Sequence, residues 1–379
     1  MPSTLTISPA LACSFTLGRQ YLLQPTPDPL EAVRSLVAIQ SQYPVSVPQA
    51  IWTRTASLPP GWAEKALTET RQVVKTWGLR WTLHTILPQD LALLTQSANC
   101  EHLAGYERFL ARNGLSPEQI QQNNAHVLQF LAQGPLPRSE LHRLVESQGG
   151  RLLRGWGHDV MYLAFRGEVV IVNHGGREVC FARRDRWLPD LPWNLPAEDD
   201  ARCALLRRYL AAYGPATEKD FRRWTGMKAA STLAAFRDCA AELLPVEVTG
   251  WPGLHYILAS DERALRAASG EMPAVRLLPK FEVLMLAYDH NLRFMEEGQR
   301  GLVSRPAGQI EATVLLQGRV AATWRMSLKR DELKMTLYPF RRLLVDERRL
   351  VDTEAERLAG YYQVTNVKVL EGGSGTVAG

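Results

Sequence analysis

Tyr209-Leu210-Ala211-Ala212-Tyr213-Gly214-Pro215, followed by Phe221-Arg222-Arg223-Trp224, repeats an earlier stretch of the same chain: Phe130-Leu131-Ala132-Gln133-Gly134-Pro135, followed by Leu141-His142-Arg143-Leu144. One inserted residue aligns the two copies. Each reads as a helix that stops at Gly-Pro, because proline has no amide proton and restricts the residue before it. A short polar turn and a second helix follow, and Thr217-Glu218-Lys219-Asp220 caps that second helix in the later copy. A supersecondary unit repeated in this way points to tandem modules.

Outward from the repeat, each copy continues into a third helix and two β-branched runs. In the earlier copy Met161-Tyr162-Leu163 lies on the third helix, and Glu168 to Val172 and Glu178 to Ala182 flank a Gly175-Gly176 turn. In the later copy Met227 to Leu243 is a long third helix, and Pro245 to Val248 and Leu254 to Leu258 form the ribbon. Helices followed by a β-ribbon are the pattern of a winged helix-turn-helix. The first part of the chain has the same order. Helices over Ser8 to Leu23, Asp28 to Ile39, from near Pro48, and Ala63 to Thr70 precede two runs, Val73 to Trp77 and Leu79 to Ile86, that turn at Gly78. Asp90 opens a further helix through Leu91, Leu93 and Leu94. The polar stretch Asn113 to Asn124 separates the first two units, and Pro- or Gly-rich stretches at Pro189 to Pro196 and Gly270 to Ala274 are linkers.

The expected fold is therefore α+β, with three tandem winged helix-turn-helix units at 1–115, 120–190 and 200–270. The remaining 275–379 is β-rich. It holds a hairpin turning at Gln317-Gly318-Arg319, a further strand over Lys334 to Leu337, and a closing helix over Thr353 to Tyr362.

The length of 379 residues fits two to four domains. A hydrophobic content of 46% with 22% charged residues belongs to a globular chain. The net charge of +5 permits a polyanionic partner without establishing one. Five scattered cysteines, Cys13, Cys100, Cys180, Cys203 and Cys239, show neither zinc nor thioredoxin spacing and read as reduced thiols of a cytoplasmic protein. The eight histidines are equally scattered, with no HxxxH or HExxH spacing, so no metal site is expected. Leu11-Ala12-Cys13 is no lipoprotein cleavage site, because Met1 to Pro9 carries no basic residue. No apolar run reaches the 18 or so residues a membrane span needs, and no membrane partner is expected.

The candidate site lies at Val37-Ala38-Ile39-Gln40-Ser41-Gln42-Tyr43-Pro44. Upstream, Asp28-Pro29-Leu30-Glu31 starts a helix with an N-cap acid, a proline at the first position and a capping-box glutamate. Pro44 disfavours helix at Tyr43, so the helix ends near Gln40 and the chain runs extended beyond it. Alternate side chains of an extended segment point the same way, and Gln40 and Gln42 then present two carboxamides on one side. A plain polar connection between helices is the competing reading. Arginines gather around the second ribbon (Arg151, Arg154, Arg183, Arg184, Arg186) and around the C-terminal hairpin (Arg319, Arg325, with Lys329, Arg330 and Lys334). These suit DNA phosphates, although solvated charge accounts for any single one. His84, Tyr288, Asp289 and His290 are candidates to line the site, with a satisfied core histidine as the alternative for the rings.

Several segments together resemble the winged-helix DNA glycosylases of the AlkZ type. They are Ile39-Gln40-Ser41-Gln42, Leu79-Arg80-Trp81-Thr82-Leu83-His84, Arg208-Tyr209-Leu210 through Gly214-Pro215-Ala216-Thr217 to Asp220-Phe221 and Trp224, Leu277-Leu278-Pro279 with Phe281, and Arg319-Val320-Ala321 with Thr323-Trp324-Arg325. They keep their order over nearly the whole chain. The resemblance implies three winged-helix units in a C-shape around a basic channel, and excision of N7-alkylated guanine, crosslinks included, from double-stranded DNA by a monomer without cofactors. Gln40 and Gln42 match the first and last positions of the family's glutamine-apolar-glutamine/aspartate signature and are its implied catalytic residues. Ser41 departs at the middle position, and Trp81 stands where the family has glycine. A non-catalytic winged-helix regulator is the alternative from another class. Regulators of that kind bind palindromic sites as symmetric dimers, whereas three dissimilar units in one chain suit a monomer.

Overall fold

A computed structural model describes residues 4–153, 160–172, 178–289 and 293–373. The Gly175-Gly176 turn, Arg154 and His290 lie outside the described residues. The chain is mixed α+β and divides into two compact units, each assembled from separated stretches.

The first unit comprises Met1–Trp62, Arg207–Arg223 and Ala240–Gly379. Its first helix, Pro9–Arg19, starts where the Ser8 hydroxyl accepts from the Leu11 amide at 3.2 Å. Strand Leu5–Ile7 runs parallel to Leu243–Val248, which pairs antiparallel with His255–Leu258. A larger sheet orders its strands Val275–Leu278, Ala312–Leu316, Arg319–Lys329, Glu332–Pro339, Asn366–Glu371. All neighbours there are antiparallel except the last pair. Parallel neighbours need a crossover, and helix Val345–Tyr361 supplies it. The turn between Leu316 and Arg319 uses Gln317 at φ 47° and Gly318 at φ 77°. Two left-handed residues in a row give the twist a two-residue hairpin needs.

Aromatic residues of the later copy of the repeat are buried in this unit. Tyr209 and Tyr213 are fully buried, and their hydroxyls donate to the carbonyls of Ala287 and Leu36, each at 2.7 Å. Tyr288, also fully buried, donates to the Tyr213 carbonyl at 2.9 Å. Thr217 and Asp220 cap the next helix reciprocally, amide to carboxylate at 2.9 Å and amide to hydroxyl at 3.1 Å. Deeper still, Arg54 is sealed from solvent and donates to Glu282 at 2.6 Å, to Gln20 at 3.1 Å and to the Ala50 carbonyl at 2.9 Å.

The second unit comprises Ala63–Leu206 and Trp224–Cys239. Its strands lie in the order Leu83–Ile86, Val74–Trp77, Val169–Val172, Cys180–Arg183, Leu136–Pro137, antiparallel throughout. Helices Pro117–Leu131, Arg138–Ser147 and Met161–Phe165 precede the pair Val169–Val172 and Cys180–Arg183. Their core gathers Tyr106, Val127, Leu131, Leu141, Phe165, Ile171 and Phe181. Among the described residues no helix is long and apolar enough to cross a membrane.

Four expectations need correction. The second helix ends at Leu36, short of Gln40, and Glu31 pairs with Arg34 one turn on instead of closing a capping box. The polar stretch Asn113 to Asn124, expected to separate the first two units, contains the start of helix Pro117–Leu131, whose Ser116 and Gln119 form a true capping box; its polar surface hid the helical period. The third helix of the later copy is Ala229–Asp238, shorter than Met227 to Leu243. The closing helix begins at Val345, and strand Asn366–Glu371 follows it; charged Asp346 to Arg349 masked the apolar row Val351, Ala355, Leu358.

Candidate active site

Helix Pro29–Leu36 starts cleanly, with the Asp28 carboxylate accepting from the Leu30 amide at 2.8 Å and Pro29 where no donor is needed. It stops abruptly. Val37 sits at φ 61°, ψ −54°, and the Ala38 amide reaches back to the Leu36 carbonyl at 2.6 Å. That is a γ-turn of the rare positive-φ kind, on a β-branched residue that resists it. The Tyr213 hydroxyl takes the same Leu36 carbonyl, so tertiary contact holds the strained turn.

Beyond the turn Ile39–Gln40 is extended. Gln40 is 4% exposed, and its amide nitrogen donates to the Gln42 side-chain oxygen. The two carboxamides therefore meet on one side of the chain. Ser41 between them is 1% exposed, and its hydroxyl is without a hydrogen-bond partner. An inward-facing, unpartnered hydroxyl marks a position built for an apolar side chain. Tyr43, 39% exposed, stacks on Phe281 with centroids 5.6 Å apart. Helix Ser46–Trp52 follows, and Gln49 on it donates to the Tyr362 hydroxyl at 2.9 Å.

Neither carboxamide ionises near neutral pH. The pair can accept from a water and turn oxygen dipoles toward a developing cation, and it offers no base strong enough to deprotonate that water.

The other candidate residues fall into distinct surroundings. In the second unit, Arg151 donates to the Asn113 carbonyl at 2.6 Å. Arg183 is paired with Asp185 at 2.7 Å, a bond that raises the pKa of the guanidinium. Arg184 donates to the Gly167 carbonyl at 3.0 Å and lies 3.8 Å over the Trp193 ring. These three arginines already brace the fold, whereas Arg186 is exposed. In the first unit, Arg319 is exposed at the start of its strand, Arg325 reaches Glu311 at 3.3 Å, and Lys329, Arg330 and Lys334 are exposed at the far end of the hairpin.

His84 is 1% exposed and donates through Nδ1 to the Thr82 carbonyl at 2.9 Å. Burial, with Arg80 adding to it, lowers its pKa to about 3, which keeps the ring neutral. Tyr288 lies 3.7 Å beneath the buried Arg293 guanidinium, and burial raises the pKa of its phenol. Asp289 donates its amide to Asp220 at 2.7 Å and faces Arg223 at 3.9 Å. Trp81 sits at φ 61°, a conformation that favours glycine, and packs against Tyr106 and Phe165 at 5.8 and 6.1 Å. The ring contacts offset the backbone strain. Lys280, whose ammonium is 5.1 Å from the Tyr43 centroid, carried no signal in the sequence beyond its place in Leu277 to Phe281.

The family model "DNA glycosylase AlkZ-like" matches residues 33–361. A protein named "Interstrand DNA cross-link repair glycosylase" from Streptomyces sahachiroi is 29% identical over 281 residues, which span 70% of this chain and 73% of that protein. The solved structure of Streptomyces sahachiroi DNA glycosylase AlkZ matches with a TM-score of 0.83 at 25% identity, covering 97% of this chain and 100% of that one.

Proposed function

From the premise that the chain belongs to the AlkZ-like family of DNA glycosylases, we propose that it hydrolyses the N-glycosidic bond of N7-alkylated guanine in duplex DNA and unhooks interstrand crosslinks. Membership settles the class of enzyme and sets aside the non-catalytic regulator. The substrate is our reading. Its main support is the contact between the Gln40 and Gln42 carboxamides beside a strained turn.

An N7-alkylated guanine carries a positive charge, so the base departs neutral and needs no general acid. The C1′–N9 bond breaks with its electron pair going to the base, water adds to C1′, and a proton is released to solvent. What the protein must supply is a placed water and stabilisation of an oxocarbenium-like sugar. Two amide dipoles suit both tasks. A guanine tied to the opposite strand cannot be rotated out into a deep pocket, so crosslink unhooking calls for an open channel that admits the whole duplex. Three tandem winged-helix units over 1–115, 120–190 and 200–270 in a C-shape, with a β-rich part over 275–379, are part of this reading, as are action as a monomer and a cytoplasmic location. The five free thiols support a reducing compartment.

The test is single-turnover incubation with duplex DNA carrying N7-methylguanine or a guanine–guanine crosslink, followed by hot alkali to cut abasic sites and mass detection of the freed base. Release from both substrates is expected. Release from the monoadduct alone would remove the crosslink from the proposal, and release from neither would remove the substrate class.

A further inference from the structure

Glu311 is buried, with its side chain 7% exposed, and two half-exposed cations converge on it. Lys280 approaches one carboxylate oxygen at 3.5 Å and Arg325 the other at 3.3 Å. Both separations exceed the 2.7–2.9 Å or so of a tight charge-assisted bond. One carboxylate facing two cations leaves a surplus positive charge. An ammonium has three donors and a guanidinium five, against two carboxylate oxygens, so donors remain to be satisfied from outside. The cluster is fixed from below: the Glu311 amide donates to the Val303 carbonyl at 2.9 Å, and the Phe281 amide to the Ile310 carbonyl at 3.2 Å, which ties the Lys280 segment to the Glu311 segment. It also adjoins the glutamine motif. The Lys280 ammonium lies 5.1 Å from the centroid of Tyr43, the residue after Gln42, and the Tyr43 ring stacks on Phe281, the residue after Lys280.

We propose that Lys280 and Arg325, held on either side of Glu311, clamp a DNA phosphodiester flanking the nucleotide whose sugar faces Gln40 and Gln42. The inference rests on the reading of those glutamines as the site. Dipoles act on a developing cation only when C1′ is held at a fixed place, and the flanking phosphate is the charged handle nearest that carbon. Lys280 and Arg325 touch the substrate backbone, while Glu311 is a positioning residue that acts through them.

The test replaces, one at a time, the phosphates on either side of an N7-methylguanine with neutral methylphosphonate and measures single-turnover excision and duplex affinity. One replacement is expected to slow the parent enzyme by about 10- to 100-fold, the range of a lost bond to a charged group. Lys280→Met, which keeps the stem on the Tyr43 ring, is expected to be slowed similarly on natural DNA and to show little further loss with that methylphosphonate. Lys280→Arg should restore most of the rate. Glu311→Gln should shrink the methylphosphonate effect, whereas a residue with a merely structural role would lower Tm and leave the ratio as in the parent. Equal slowing by methylphosphonate in the parent and in Lys280→Met would overturn the clamp, as would a parent insensitive at both positions, whatever the variants do. Failure of the underlying site reading looks different: Gln42→Ala would excise at the parent rate while the coupling between Lys280 and one phosphate persisted.

Discussion

Arg54 and Glu282, separated by 228 residues, meet at 2.6 Å with both side chains fully withdrawn from solvent. The pair ties the helix that follows the glutamine motif to the segment that carries Lys280 and Phe281. Arg54 also donates to Gln20 and to the Ala50 carbonyl, and the Glu282 carboxylate also accepts from the Leu284 amide at 3.3 Å.

Removing one partner leaves the other charge buried and uncompensated. Glu282→Leu should destabilise the fold by about 3–5 kcal/mol, and the double variant Arg54→Met, Glu282→Leu should recover most of the loss. Denaturant unfolding of the single and double variants measures this. A single variant no less stable than the parent would show that the pair contributes nothing.

Gln42→Ala should slow single-turnover excision by roughly 100- to 1,000-fold, since loss of one preorganised dipole costs about 2.7–4 kcal/mol. Gln40→Ala should behave comparably. Affinity for alkylated duplex should hardly change, because phosphate contacts dominate binding, and it should fall steeply with salt in every variant. Full activity in both alanine variants would return the motif to a plain connection.

Gln42→Asp should stay active but acquire a titration. Excision should fall as pH drops toward the ordinary carboxylate pKa of about 3.9, whereas the parent profile is flat there because an amide does not ionise. A parallel decline in both proteins would show that the aspartate is not the titrating group.

Ser41→Ala should raise stability by about 1 kcal/mol and leave excision unchanged. The substitution removes a buried hydroxyl that lacks a partner. Thermal unfolding measures the gain, and a fall in Tm would mean the hydroxyl is satisfied after all.

Two buried histidines set an acid limit on stability. Burial, with Arg80 adding to it, lowers His84 to about 3, and burial lowers His102 to about 4, from an ordinary value of 6.5. Between 6.5 and those folded values the unfolded chain binds more protons than the folded one, so stability falls as pH falls through that window. Above 6.5 both states are neutral and the stability is fully present. Each ring contributes a slope of up to about 1.4 kcal/mol per pH unit inside the window. His84→Asn, whose amide can still reach the Thr82 carbonyl, should remove one such slope in denaturant titrations between pH 7.5 and 5.

The ends of the helices Pro117–Leu131 and Glu198–Tyr213 were legible because Gly134-Pro135 and Gly214-Pro215 follow them, a local effect that any sequence context preserves. The pairing of Gln40 with Gln42 was legible for the same reason: Pro44 biases the preceding backbone toward extension. The end of the helix before them was not, because the Val37 turn is held by a tyrosine hydroxyl 177 residues away. Trp81 was equally opaque, since its backbone strain is offset by rings from other helices. Lys280 and Glu311 are ordinary charged residues until strand pairing brings them together. Arg151 and Arg184 show the converse: local sequence displays their charge and hides the Asn113 and Gly167 carbonyls that accept from them.

The ion pair between Arg54 and Glu282 also fixes an order of events on the ribosome. Gln40, Gln42 and Arg54 are made early, and Glu282 is added 228 residues after Arg54. At about 5–20 residues per second that interval lasts on the order of 10–50 s. Throughout it the nascent chain carries a guanidinium destined for full burial and a glutamine motif lacking the segment that will support Tyr43. Premature termination before Lys280 therefore leaves a fragment that holds both glutamines and lacks the Phe281 ring on which Tyr43 stacks.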